Sequence, residues 1–196
     1  MTNAKQPKID QFWMQHAIDL ALQGEGMTRP NPPVGAVVVK AGRILGEGFH
    51  PRAGEPHAEV FALRDAGKQA RGATLYVTLE PCCTHGRTPP CTEAIIAAGI
   101  RRVVYGCVDP NPAHAGRADK ILARAGITVT RPVLESSCQT LIAPFATRLL
   151  HKRPYVTLKL ACSLDGRIAD PRGKSKWITG PGAREEIGRA SCRERV

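Results

Sequence analysis

A layered α/β domain, with helices on both faces of a mixed sheet, is the fold class this sequence predicts. Runs rich in β-branched residues alternate with runs whose apolar residues recur at helical spacing, which is the signature of α/β units. The first two β-rich runs, VGAVVVK and RILGEGFH, are joined by Ala41 and Gly42 alone; a hairpin follows, and it makes the sheet mixed. At 196 residues the chain has room for one well-filled domain and part of another.

The stretch from Asp10 reads as a helix with Asp10 as its cap and a stop near Gly24, because Met14, Ala17, Ile18, Ala21 and Leu22 share one face. The turn-rich TRPNPP leads into the hairpin. Pro56 suits the first position of a helix through HAEVFALRDAGKQA. A strand, TLYVTLE, runs into Pro81 and Cys82, and a short helix from about Pro90 to Ala98 ends at Gly99. Strand RRVVYGC, loop DPNPAHAG, helix ADKILARA and strand ITVT continue the alternation. Residues Ser136 to Arg153 read as a helical connection interrupted by Pro144, and YVTLKLAC as a new strand. The division expected is a first domain over 1–150, the opening of a second over 151–185, and a tail over 186–196.

Composition narrows the function classes. A hydrophobic fraction of 42% with 23% charged residues is ordinary for a soluble globular protein. No apolar run is long enough to span a bilayer, and MTNAKQPKID lacks a signal-peptide core, so a cytoplasmic location is expected. The net charge of +11 suits an anionic, phosphorylated small molecule. Nucleic acid is not expected as the partner: there is no long Lys/Arg run, no aromatic stacking array and only 5% aromatics. Seven cysteines in a cytoplasmic chain argue for a metal site, not a disulfide framework. Cys107, Cys138 and Cys162 fall in apolar segments and read as small core residues.

The chemistry concentrates in HAE, which holds His57 and Glu59, and in PCCTHGRTPPC, which holds Cys82 and Cys91. Imidazole and thiolate are good zinc ligands, and a catalytic zinc keeps three protein ligands with the fourth position for water. His57, Cys82 and Cys91 supply such a set, and Glu59 is placed to shuttle a proton without joining it. H-x-E followed by P-C and a second Cys is the order seen in zinc deaminases, although eight residues separate Cys82 from Cys91 where the usual spacing is two. Cys83 could replace Cys82 as ligand, but Cys82 directly follows Pro81 as the pattern requires. His85 reads as a solvated or substrate-facing imidazole, because a fourth protein ligand would close the water site.

The runs TLEPCCTHGRTPPCTEAIIAAGI, NPPVGAVVV, GEPHAEVFAL and VDPNPAHAG resemble the deaminase domains of the RibD family of bifunctional riboflavin-biosynthesis enzymes. The resemblance covers roughly Ile9 to Gly180 and departs at Cys83, where Ser is common in that family. It implies a three-layer α/β/α cytidine-deaminase-like domain with bound zinc. The implied reaction is replacement by water of the 2-amino group of 2,5-diamino-6-(5-phosphoribosylamino)pyrimidin-4-one. Asn31 would read the ring, since its amide both donates and accepts; it could equally be a turn residue. Asp109 and Asn111 would line the pocket or simply make the turn after a strand. His50, His85, Arg87 and Thr88 would contact the ribose phosphate.

From Arg153, RPYVTLKLACSLDGRIADPRGKSKWITG resembles the opening of the family's reductase unit, which is dihydrofolate-reductase-like and uses NADPH. There Ala161 and Trp177 would match cofactor positions and Ser175 a substrate position. One strand and a loop are too little for such a domain, so a truncated unit that neither binds NADPH nor reduces is expected. EEIGRASCRERV, from about Glu186, reads as a non-native tail. Homo-oligomerisation is implied by the resemblance alone. The competing readings are a nucleoside or tRNA deaminase of the same zinc fold, which the long cysteine spacing disfavours, and a catalytically silent remnant, which the intact ligand set disfavours.

Overall fold

The computed structural model describes residues 5–86, 89–158, 162–175, 180–183 and 185. The chain divides into two compact units, Met1–Pro154 and Tyr155–Val196.

In chain order the first unit contains α1 (Gln6–Leu22), β1 (Gly35–Lys40), β2 (Arg43–Phe49), α2 (Ala58–Ala66), a 3-10 turn (Gly67–Ala70), β3 (Thr74–Leu79), α3 (Cys91–Ala97), β4 (Arg102–Cys107), α4 (Arg117–Arg124), β5 (Thr128–Thr130), α5 (Glu135–Leu141) and α6 (Ala143–His151). The strands form one sheet in the order β2-β1-β3-β4-β5. β1 is antiparallel to β2 and β3, while β3, β4 and β5 run parallel, so the sheet is mixed as expected. Side chains alternate between its faces. Ala36, Val38, Leu75, Val77, Val103 and Tyr105 pack with α2, α3 and α4 residues in one buried cluster. Val37, Val39, Tyr76, Val104 and Cys107 pack with α1 and α5 residues in another. Three layers result, and the two core clusters lie on opposite faces of the sheet.

The hairpin turns through Ala41 (φ 50°) and Gly42 (φ 74°), the paired positive φ values of the turn that matches strand twist. α2 rests directly on the β2 backbone. A methyl group on Gly46 or Gly48 would overlap the carbonyl oxygens of Ala62 and Ala58 respectively, so the absent side chains set the height of α2 over the sheet.

Three boundaries differ from the sequence reading. α1 begins at Gln6, with Pro7 in its first turn, and Asp10 is not its cap. Asp10 is buried instead, accepting from Arg102 Nη1 (2.8 Å) and Nη2 (2.7 Å), Tyr76 Oη (2.9 Å) and Gln6 Nε2 (2.9 Å). α2 starts at Ala58 with His57 as its cap, leaving Pro56 outside, and ends at Ala66, where Gly67 (φ 52°) caps it and opens the 3-10 turn. The helical connection is interrupted beside Pro144 as expected: residues 135–151 form two helices, and Pro144 sits in the first turn of α6, where a missing N–H costs nothing. Cys107 and Cys138 are buried as expected.

In the second unit, the described part of YVTLKLAC is not a strand: 155–158 pair with no neighbour among the described residues. A strand is stable only as part of a ladder. Val156 and Leu158 are exposed, and so is Cys162, contrary to the core position expected for it. Two tight turns follow, closed by Gly166 N–H to Ser163 O (2.9 Å) and Gly173 N–H to Asp170 O (2.9 Å).

Candidate active site

The site forms where β3 ends and α2 and α3 begin. His57 has extended backbone (ψ 163°) as the cap of α2, and Glu59 lies in that helix's first turn. Cys82 follows β3, and Cys91 opens α3. His57 Nδ1 lies 3.2 Å from Cys91 Sγ and 3.5 Å from Cys82 Sγ. The Cys91 N–H donates to Cys82 Sγ (3.3 Å), and the Thr92 N–H to Cys82 O (3.2 Å), clipping the two cysteine segments together.

These three ligand atoms all lie within 4.8 Å of one another, the one such metal-type cluster among the described residues. Zn–S bonds near 2.3 Å and Zn–N bonds near 2.0–2.1 Å put the edges of a tetrahedron at about 3.6 Å. The donor set therefore fits zinc in identity and in spacing. Cys83 is outside it, with its Sγ 3.8 Å from His114 Nδ1, so Cys82 is the residue that the geometry brings to the cluster.

Electrostatics favour a thiolate at Cys82. The hydrogen bond from Cys91 drives its pKa well down against the burial that opposes it, with His57 adding to the drop. Cys91 is held correspondingly high, chiefly by the same contact. The Cys82 sulfur raises His57 to about 9. Burial pushes Glu59 above the ordinary carboxylate range, partly offset by His57.

His57, Glu59 and Cys82 open onto a cavity of about 220 Å³, whose walls include Asn31, His50, Glu80, Asp109, Asn111, His114 and Phe145. A second recess of about 370 Å³ shares Asn31, His57, Cys82 and His114 and continues past Gly54, Glu55, Thr84 and Gly86. Asn31 is fixed by its turn, with its N–H on Thr28 O (2.9 Å) and its O receiving Thr28 Oγ1 (2.9 Å). Asn31 Nδ2 is 3.1 Å from His50 Nε2, and His50 Nδ1 is 3.0 Å from Pro56 O. Asp109 and Asn111 satisfy both readings offered for them. They line the cavity, and their side chains also cap the turn by accepting the N–H groups of Asn111 (2.8 Å) and Ala113 (3.0 Å).

Of the remaining expected positions, His50 lines the cavity, but not as a free phosphate contact. His85 is exposed, 3.2 Å from Glu93, and is in neither cavity wall. His50 is 2% exposed with both ring nitrogens engaged, so no ring atom is left for a phosphate. Ser175 is exposed in the second unit. Arg87, Thr88, Ala161 and Trp177 lie outside the described residues.

Sequence reasoning missed Glu80 and His114. Glu80 is buried, and its carboxylate accepts the N–H groups of Asp109 (3.2 Å), Gly116 (2.9 Å) and Ala118 (3.1 Å). An acid ending an otherwise apolar strand just before Pro-Cys was the available signal. For His114 the signal was an imidazole in a loop read only for its Asp and Asn. Phe145 had none, because α6 reaches the cavity through tertiary packing.

Residues 7–107 match the family described as the cytidine and deoxycytidylate deaminase zinc-binding region. The chain belongs to this family. Residues 154–192 match the RibD C-terminal domain. The riboflavin biosynthesis protein RibD of Escherichia coli is 54% identical over 178 residues, which is 91% of this chain and 48% of that protein. RibD of Aquifex aeolicus is 53% identical over 178 residues, covering 91% and 50% respectively. The crystal structure of a diaminohydroxyphosphoribosylaminopyrimidine deaminase/5-amino-6-(5-phosphoribosylamino)uracil reductase from Thermotoga maritima superposes with TM-score 0.86 at 50% identity, over 94% of this chain and 53% of that one. The chain spans about half the length of these relatives. As a member of this family it carries a zinc-binding deaminase domain, and no described helix is long and apolar enough to cross a membrane.

Proposed function

We propose that this domain deaminates 2,5-diamino-6-(5-phosphoribosylamino)pyrimidin-4-one by hydrolysis, giving 5-amino-6-(5-phosphoribosylamino)uracil and ammonia. The observation that carries this reading is the His57–Cys82–Cys91 cluster, of which His57 and Cys82, with buried Glu59, open onto one cavity walled by Asn31, Asp109 and Asn111. The substrate comes from the relatives, which are half identical over most of this chain.

His57, Cys82 and Cys91 would hold the zinc, whose Lewis acidity makes water a competent nucleophile near neutral pH. Glu59 takes one proton from the water and passes it to the ring nitrogen, then takes the second from the newly added hydroxyl and delivers it to the departing amine, which leaves as ammonia. Asn31 orients the ring edge. Asp109 and Asn111 hold the opposite polar groups, and the His114 side of the outer recess receives the ribose phosphate, where the +11 charge also favours an anion. Arg87 would join there.

The deaminase unit corresponds to residues 1–150, and the chain continues into a segment of the reductase domain, whose family match runs over 154–192. NADPH and the positions Ala161, Trp177 and Ser175 belong to reductase chemistry in the full-length relatives; 155–158 here lack the strand that chemistry is built on. The partner is a small molecule, not nucleic acid or membrane. A cytoplasmic location and self-association complete the reading.

The test is ammonia release from the ribotide by the zinc-loaded chain beside Glu59→Gln. Turnover should fall by about 10²–10⁴-fold in the variant with zinc content unchanged. Equal turnover would remove Glu59 from the mechanism.

A further inference from the structure

We propose that His50 is a positioning residue that decides which end of the Asn31 amide faces the substrate ring. The inference rests on the ring-reading role given to Asn31 above. The two ends of an Asn amide are nearly equal in size and opposite in hydrogen-bonding sense, so only their partners select an orientation.

The selection follows from one fixed acceptor. The Pro56 carbonyl oxygen, 3.0 Å from His50 Nδ1, can only accept, so Nδ1 carries the ring proton. In a neutral imidazole, Nε2 is then a bare acceptor. The Asn31 group 3.1 Å from it must donate, which places Nδ2 against His50. Asn31 Oδ1 and its second Nδ2 proton remain for a ligand. Together they match a ring edge that offers an N–H beside an acceptor, as a pyrimidinone lactam does.

The relay has little freedom. His50 is 2% exposed, and its backbone N–H is tied to Val34 O (2.9 Å). Pro56 immediately precedes His57, so the carbonyl that sets the tautomer belongs to the segment that delivers a zinc ligand. The His50 and His57 rings meet edge to face, with centroids 5.4 Å apart. The ring reader and the metal centre are thereby referenced to one short stretch of backbone. This explains why an imidazole lines the cavity with no nitrogen free to touch substrate.

The test uses the zinc-loaded full chain. Two-bond ¹H–¹⁵N correlation of the histidine rings should show His50 as the Nδ1–H tautomer. His50→Leu should keep its zinc and raise KM for the ribotide on the order of tenfold, the loss of one orienting hydrogen bond, with a smaller change in kcat. His50→Gln, which can donate and accept, should recover most of that loss. Asn31→Ala combined with His50→Leu should be no worse than the poorer single variant, since one substitution already removes what the other orients. An Nε2–H tautomer, or additive losses in the double variant, would overturn the proposal. The tautomer is read without turnover, so if His50→Leu does not fold the spectrum still decides. A chain inactive on the ribotide refutes the substrate assignment, not the relay.

Discussion

Cys82 and Cys83 are adjacent and chemically identical, yet the fold sends them to different places. Cys82 Sγ receives the Cys91 N–H (3.3 Å) and approaches His57, whereas Cys83 Sγ lies near His114. Cys82→Ser should therefore reduce zinc affinity on the order of a hundredfold or more, since even supporting residues of metal sites cost 10–100-fold. Cys83→Ser should keep zinc at the wild-type level, as read by metal analysis after dialysis. Zinc loss in Cys83→Ser alone would reverse the assignment. At this scale the sequence was informative where chemistry is carried by type and order: HAE, Pro-Cys and a second Cys located the cluster. It was uninformative where a role depends on a contact between distant segments. His50 was read as a phosphate contact because nothing in the sequence shows the Pro56 carbonyl that occupies its Nδ1.

Between elements, Glu80 does what no backbone group does. Its carboxylate, at the end of β3, gathers N–H groups from the loop after β4 and from the start of α4, and so sets the Asp109–Asn111 wall against the Cys82 side of the cavity. In Glu80→Gln one end of the side chain can no longer accept, leaving a buried N–H unpaired. We expect a loss of about 1–3 kcal/mol in urea unfolding, with zinc retained and KM raised. An unchanged midpoint would show that the loop is held by other contacts. Hairpin, strand alternation and α3 were readable because turn residues and periodicity are local properties. The start of α1 was not, because Asp10 has the residue type of a cap while its partners, Arg102 and Tyr76, come from strands far along the chain. The described part of YVTLKLAC, residues 155–158, shows the opposite error: strand-like composition does not make a strand where no described segment pairs with it.

For the first unit as a whole, the Asp10–Arg102 pair ties α1 to β4 on the sheet face opposite α2. Burial acts to raise the Asp10 pKa, but hydrogen bonds from Arg102, Gln6 and Tyr76, with the Arg102 charge, outweigh it and hold the pKa below the ordinary carboxylate range. The folded state thus favours the ionised carboxylate more than the unfolded chain does. That stability is fully present above the unfolded carboxylate value near 3.9 and is lost as pH falls through the lower folded value. Asp10→Asn leaves Arg102 without its partner and should cost about 3–5 kcal/mol at pH 7, a gap that narrows below about pH 4. A constant gap across pH, measured by chemical denaturation, would contradict this account.

The central claim joins a zinc deaminase site to one substrate. Its most direct test is ammonia release by the zinc-loaded chain from the diaminopyrimidinone ribotide, beside cytidine and deoxycytidylate. We predict turnover of the ribotide well above that of the other two, because the Asn31 amide as held by His50 matches a lactam edge. The proposed phosphate recess would separate the ribotide from cytidine alone, since deoxycytidylate also carries a phosphate. Deamination of cytidine or deoxycytidylate with the ribotide untouched would contradict it.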